Sequence, residues 1–213
     1  GHSLGEYTAL AAANILSIED CSKLLKTRGE LMQNAYPPNQ SSMAAVLGFS
    51  SEFIDNFIKE NNLNIEVAND NSPIQVVVSG KIEDLEIAEI LLKKLGAKRF
   101  IFLNVSAAFH CNLMKGAEEK MKNYISKVNF NDSNIKLISN FTGKLADNTH
   151  SIIENLSNQM SNRVRWVESI KCLDSKMENE IIEIGPGKVL SGLIKRICNN
   201  FKITNLEKLS DIE

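Results

Sequence analysis

The chain has 213 residues, of which 43% are hydrophobic and 23% charged, enough apolar material for one or two ordinary domains and too much for a disordered chain. A formal net charge of -2 offers no field for nucleic acid, and no basic run interleaves with aromatics. No apolar stretch approaches a membrane span, no signal-peptide pattern opens the chain, and the four cysteines form no C-x-x-C pair, which argues against a metal site or a disulfide framework.

The first residues, Gly1-His2-Ser3-Leu4-Gly5, carry the G-x-S-x-G pattern of a nucleophile elbow. A serine at a sharp strand-to-helix turn has strained backbone angles, side chains at either glycine should clash with neighbouring elements, and the Leu4 N–H should point to where an oxyanion forms. The strand that should precede the elbow would lie before Gly1, so the expectation is a chain cut at its N-terminus. A helix from Leu4 to about Asn14 follows, then a second to Gln33, opened by Ser17 with Asp20 and carrying Arg28 in its middle. Pro37-Pro38 marks a boundary.

The next stretch reads as a separate unit in the order strand, helix, strand, strand, helix, strand. Its elements are Met43–Leu47, Ser51–Glu60, Asn64–Ala68, Ile74–Ser79, Ile82–Leu95 and Lys98–Val105, with residues 69–73 as a turn between the middle strands. That order predicts an inserted ferredoxin-like subdomain. Beyond it, helices are expected over Met114–Val128, Ser151–Ser161 and Val167–Met177, with strands at Ile135–Ser139 and Glu180–Ile184 and a last helix over Val189–Asn199. The predicted fold class is therefore α/β, a hydrolase-like parallel-sheet domain (1–41 and 106–213) with a ferredoxin-like insertion (42–105) and its N-terminal strands missing.

A nucleophilic serine needs a base, and the sequence has three histidines. His2, adjacent to Ser3, should point away and pack, and His150 lies in a polar stretch read as a solvated loop. His110 follows a strand end and the small residues Ala107 and Ala108, where it reads either as a core histidine or as the base. No carboxylate stands out to orient it: Asp132, Asp147, Asp174 and Glu183 are all open, as is a backbone or amide carbonyl. Arg28 is either a surface arginine or a buried grip for a substrate carboxylate. Gly185-Pro186-Gly187 either cradles a phosphate or makes a tight turn, and Lys115, Lys188, Lys195 and Arg196 either face solvent or meet an acidic partner.

Taken in order, these segments resemble the malonyl-CoA:acyl carrier protein transacylases, the acyltransferase family of fatty-acid synthesis. The resemblance rests on residues 1–7, on 27–33 around the arginine, on 43–48 and 68–80 in the small unit, on 109–114 around His110 and on 183–190. It implies malonyl transfer from malonyl-CoA to the phosphopantetheine thiol of acyl carrier protein. Ser3 would carry the acyl group, His110 would be base and then acid, Arg28 would pair with the malonyl carboxylate, and Gln159 would orient the histidine. Leu4 would supply one oxyanion donor. The resemblance also implies a cytoplasmic monomer, with an organellar origin left open, that uses no metal and no cofactor beyond the coenzyme A thioester substrate. Arg163 departs from the family's usual proline, and the family's N-terminal Gly-Gln-Gly-Ser-Gln segment, with a second oxyanion donor, lies outside the sequence. The rival readings are a serine esterase or thioesterase, and an inactive fragment serving as an interaction module.

Overall fold

The structure is a computed structural model that describes residues 1–212. The chain starts on α1 (Leu4–Ala12), whose Tyr7 and Leu10 are buried, and turns at Asn14 into α2 (Ile18–Gln33). Ser17 caps α2 by accepting the Asp20 N–H at 3.0 Å. The buried face of α2 is Cys21, Leu24, Arg28 and Met32, successive positions three or four residues apart. Arg28 thus occupies a core position of an amphipathic helix.

Next come β1 (Ser41–Leu47), α3 (Ser51–Glu60), β2 (Ile65–Ser72), β3 (Gln75–Lys81), α4 (Ile82–Lys94) and β4 (Arg99–Phe102). Their sheet runs β2-β3-β1-β4, and every paired neighbour is antiparallel. One face packs Val46, Val67, Val76 and Val78 against Ile54, Phe57, Leu85 and Leu92 of the two helices. The other face sets Met43, Ala68 and Val77 against Leu103, Val105 and Phe109, on the chain segment that leads to His110.

Two boundaries here differ from the sequence expectation by more than two residues. The polar run Asn69–Ser72 is strand and not turn, because it pairs antiparallel with β3, Asn69 opposite Val77, Asp70 opposite Val76 and Ser72 opposite Gln75. Val164 bridges its other edge, its N–H donating to the Ala68 carbonyl at 2.8 Å and its carbonyl accepting the Asp70 N–H at 3.0 Å. Strand β4 stops at Phe102, although Leu103 N–H still reaches the Met43 carbonyl at 2.9 Å.

The rest of the chain has a 3₁₀ turn (Asn112–Met114), α5 (Lys115–Ile125), α6 (Thr149–Ser157), α7 (Trp166–Ser175), β5 (Glu180–Ile184), α8 (Val189–Ile197) and β6 (Lys202–Leu206). The strand expected at Ile135–Ser139 is absent; a single antiparallel bridge joins Ile138 to Leu145 in a folded-back loop. Strand β6 carries no readable pattern in the sequence, being short and partly polar, yet it pairs in parallel with β5 across α8 as a β-α-β unit. The parallel sheet of this region comprises these two strands among the described residues. Helices α1, α2, α5 and α6 enclose one apolar core, and Trp166, Ile170, Leu193, Ile194 and Phe201 form another. Among the described residues no helix is long and apolar enough to cross a membrane.

Candidate active site

Ser3 sits at the N-terminus of α1 with φ 51° and ψ -104°, a conformation in which a non-glycine residue is strained. The fold holds it there. The Asn140 side chain accepts the Ser3 N–H at 2.6 Å through Oδ1 and donates to the Gly1 carbonyl at 2.8 Å through Nδ2, gripping both sides of the turn. A Cβ at Gly1 would overlap the Gly5 carbonyl, which explains the first glycine of the pattern. At Gly5 the expectation fails, since a Cβ there meets nothing within 4 Å. The Leu4 N–H, free at the helix start, bonds no acceptor among the described residues, as an oxyanion donor requires.

His110 is delivered by the chain beyond β4 and is itself in a left-handed conformation, φ 56°. Its backbone N–H donates to the Met160 carbonyl at 3.2 Å. Its Nδ1 lies 3.0 Å from the Gln159 backbone carbonyl, which can only accept, so the proton is on Nδ1 and Nε2 is the acceptor. The Ser3 hydroxyl lies 2.7 Å from that Nε2 and donates to it. Burial, followed by the Arg28 charge, pushes the His110 pKa down to about 3, so the imidazole is a neutral base across the physiological range.

Arg28 is only 6% exposed. Its Nη2 donates to Ser3 Oγ at 2.9 Å and to Gln159 Oε1 at 3.2 Å, and its guanidinium lies over the Tyr7 ring. Its Nε is buried and without a partner among the described residues. The surface reading of Arg28 is thereby excluded.

Gln159 is buried and uses all its polar groups. Beyond the carbonyl on His110 and the contact from Arg28, its Nε2 donates to the Ser3 carbonyl at 3.0 Å and to Glu6 Oε2 at 2.7 Å. Glu6 and Asn140 escaped the sequence reading. Glu6 directly follows the elbow pattern, on the inward face of α1 with Tyr7 and Leu10, and an acid at such a position was the available signal.

None of the four open carboxylates orients His110. Asp132 accepts from Thr149, Asp174 from Asn200, and Asp147 lies in an exposed loop. Glu183 caps α8, accepting the backbone N–H groups of Leu190 at 3.0 Å and Ser191 at 2.9 Å. A carboxylate already fills that helix start, so Gly185-Pro186-Gly187 is a tight turn and not a phosphate cradle; Gly185 and Gly187 have φ 132° and 82°. His2 packs against Trp166 and contacts Asn71 Oδ1 at 2.9 Å. His150 is exposed, in the first turn of α6 and not in a loop. Of the basic cluster, Lys115 pairs with Glu118 at 2.7 Å and Arg196 donates to Gln75 at 2.6 Å. Among the described residues no group of His, Cys, Asp and Glu could hold a metal ion, and all four cysteines are free.

A strained serine, a neutral histidine oriented by a carbonyl and a free helix-start N–H define a serine-based acyl-transfer site on an α/β fold. The chain belongs to the acyl transferase domain family, whose pattern it matches over residues 1–206. It is 41% identical over 217 residues to a malonyl CoA-acyl carrier protein transacylase of Bacillus subtilis, covering 100% of this chain and 68% of the relative. A Staphylococcus aureus protein of the same name is 40% identical, with 100% and 70% covered. The crystal structure of an acyl-carrier-protein S-malonyltransferase from Burkholderia pseudomallei superposes with a TM-score of 0.95 at 36% identity, over 100% of this chain and 70% of that one. So does, at 35% identity and TM-score 0.95, a malonyl-transacylase solved in complex with its type II PKS acyl-carrier protein, with 100% and 69% covered.

Proposed function

We propose that the protein transfers the malonyl group from malonyl-CoA to the phosphopantetheine thiol of acyl carrier protein, in fatty-acid synthesis, through an ester on Ser3. The observation that carries this is the position of Ser3 Oγ, 2.7 Å from His110 Nε2 and 2.9 Å from Arg28 Nη2. In the first half-reaction Ser3 Oγ attacks the thioester carbonyl while its proton passes to His110 Nε2. The oxyanion is met by the Leu4 N–H. When the C–S bond breaks, His110 returns the proton to the coenzyme A sulfur. In the second half the carrier-protein thiol gives its proton to His110 and its sulfur attacks the ester, and the proton then returns to Ser3 Oγ.

Gln159 is a positioning residue whose carbonyl fixes the histidine tautomer, and Arg28 binds the distal malonyl carboxylate. No step needs a metal or a cofactor besides the thioester itself. The separate cores support a division into a hydrolase-like part, 1–41 and 106–213, and a ferredoxin-like part, 42–105. The same reading carries a cytoplasmic monomer whose partners are malonyl-CoA and acyl carrier protein. Mass spectrometry after incubation with malonyl-CoA should find the acyl group on Ser3 and none in Ser3→Ala. Labelling that survives the substitution would sink the assignment.

A further inference from the structure

A buried guanidinium and a buried carboxyl group share this site without touching. Arg28 is 6% exposed and Glu6 1% exposed, and what joins them is the side-chain amide of Gln159. Arg28 Nη2 donates to Gln159 Oε1 at 3.2 Å, and Gln159 Nε2 donates to Glu6 Oε2 at 2.7 Å. The same Glu6 oxygen accepts the Asn140 backbone N–H at 3.2 Å, and Asn140 in turn holds the Ser3 N–H.

A guanidinium buried with no counter-charge is expensive. A carboxylate paired with it directly would offset that cost, but would occupy the donors a substrate carboxylate needs. An anion one amide away steadies the cation without bonding any of its N–H groups directly, and Nε remains buried with no partner among the described residues.

We propose that Glu6 is a specificity-setting positioning residue: it is the counter-charge of Arg28, and its distance tunes how strongly the site attracts an acyl group bearing a carboxylate. The inference rests on Arg28 being the carboxylate-binding group. Removing the negative charge should leave Arg28 less compensated and the malonyl carboxylate more strongly held.

Glu6→Gln is the sharp test, because one amide oxygen can still accept from both Gln159 and Asn140 while the charge is gone. In Glu6→Gln of the full chain, KM for malonyl-CoA should fall several-fold while KM for acetyl-CoA stays as in the unsubstituted protein. Glu6→Asp keeps the charge, so its ratio of the two KM values should stay unchanged even if both reactions slow through poorer reach. A Glu6→Gln variant with an unchanged ratio, including one slowed equally on both thioesters, overturns the proposal. So does a ratio that shifts as much in Glu6→Asp as in Glu6→Gln, or a Glu6→Gln variant that cannot fold while Glu6→Asp shifts the ratio. If the unsubstituted protein forms no malonyl ester at all, the malonyl reading itself fails, a result distinct from these.

Discussion

The imidazole of His110 is oriented by the backbone carbonyl of Gln159, 3.0 Å from Nδ1, and not by a carboxylate. A backbone acceptor survives side-chain substitution, so the tautomer should persist in Gln159→Ala. What that variant loses is the amide that Arg28, Ser3 and Glu6 share. Single-turnover acylation by malonyl-CoA should fall by about 10–100-fold, short of the ~10⁴-fold drop seen when an orienting group sets the wrong tautomer. A loss as deep as that of Ser3→Ala would mean that the carbonyl moves with the side chain.

The pH dependence follows from the buried His110. Its folded pKa of about 3 lies below the ordinary 6.5, so between those values the unfolded chain binds a proton that the folded chain does not. Its contribution to stability is complete above pH 6.5 and is lost as pH falls toward 3, at ~1.4 kcal/mol per pH unit. Glu6 acts in the opposite sense. Burial raises its pKa, so its share is present at low pH and lost as pH rises through the folded value. Comparing the protein with His110→Asn, which tolerates the positive φ, isolates the histidine. Denaturant unfolding should show the stability difference narrowing steadily below pH 6.5. The acylation rate should likewise show no histidine limb between pH 6 and 7.

Arg28→Ala should raise KM for malonyl-CoA and leave an acyl group without a carboxylate little affected. A charge-assisted pair in a buried pocket contributes roughly 1.5–3 kcal/mol, about 10–150-fold in kcat/KM. Arg28→Lys should recover only part of that, because an ammonium lacks the forked donors of the guanidinium. Equal losses on malonyl-CoA and acetyl-CoA would remove Arg28 from carboxylate recognition.

The order of elements from β1 to β4 was legible because its signals are local: short apolar runs in β1 and β3, and the i, i+3, i+4 stripes of α3 and α4. The elbow and its histidine were legible for the same reason, each being a short pattern. What the sequence hid depends on long-range partners. Asn69–Ser72 reads as a turn because its side chains are polar, yet β3 pairs along one edge and Val164, far along the chain, bridges the other. Asn140 carries no pattern of its own and gains its role by reaching Ser3 across 137 positions. Glu6 was in plain view, but only the closed core makes its burial a statement about charge. The reverse error occurred at Ile135–Ser139, where an apolar run suggested a strand and the chain instead folds back through one bridge.

The loop carrying Gln159 is pinned from two sides, and each pin makes a separate prediction. Glu118, fully buried on α5, accepts the Ser161 N–H at 2.9 Å and its hydroxyl at 2.7 Å. Arg163 donates through Nε to the Val67 carbonyl at 3.1 Å and through Nη2 to Asp55 at 2.6 Å, tying the loop to β2 and α3. Glu118→Ala strands a buried N–H, which costs roughly 1–3 kcal/mol, and denaturant melts should show it. The Arg163 and Asp55 side chains are 23% and 34% exposed, so solvent screens their attraction and Asp55→Ala should cost at most ~1 kcal/mol. Arg163→Ala also gives up the bond to Val67, so it should cost more than Asp55→Ala. A double-mutant cycle on the pair reads the direct coupling. If Glu118→Ala proves no more costly than Asp55→Ala, the Glu118 carboxylate is not what holds Gln159 against His110.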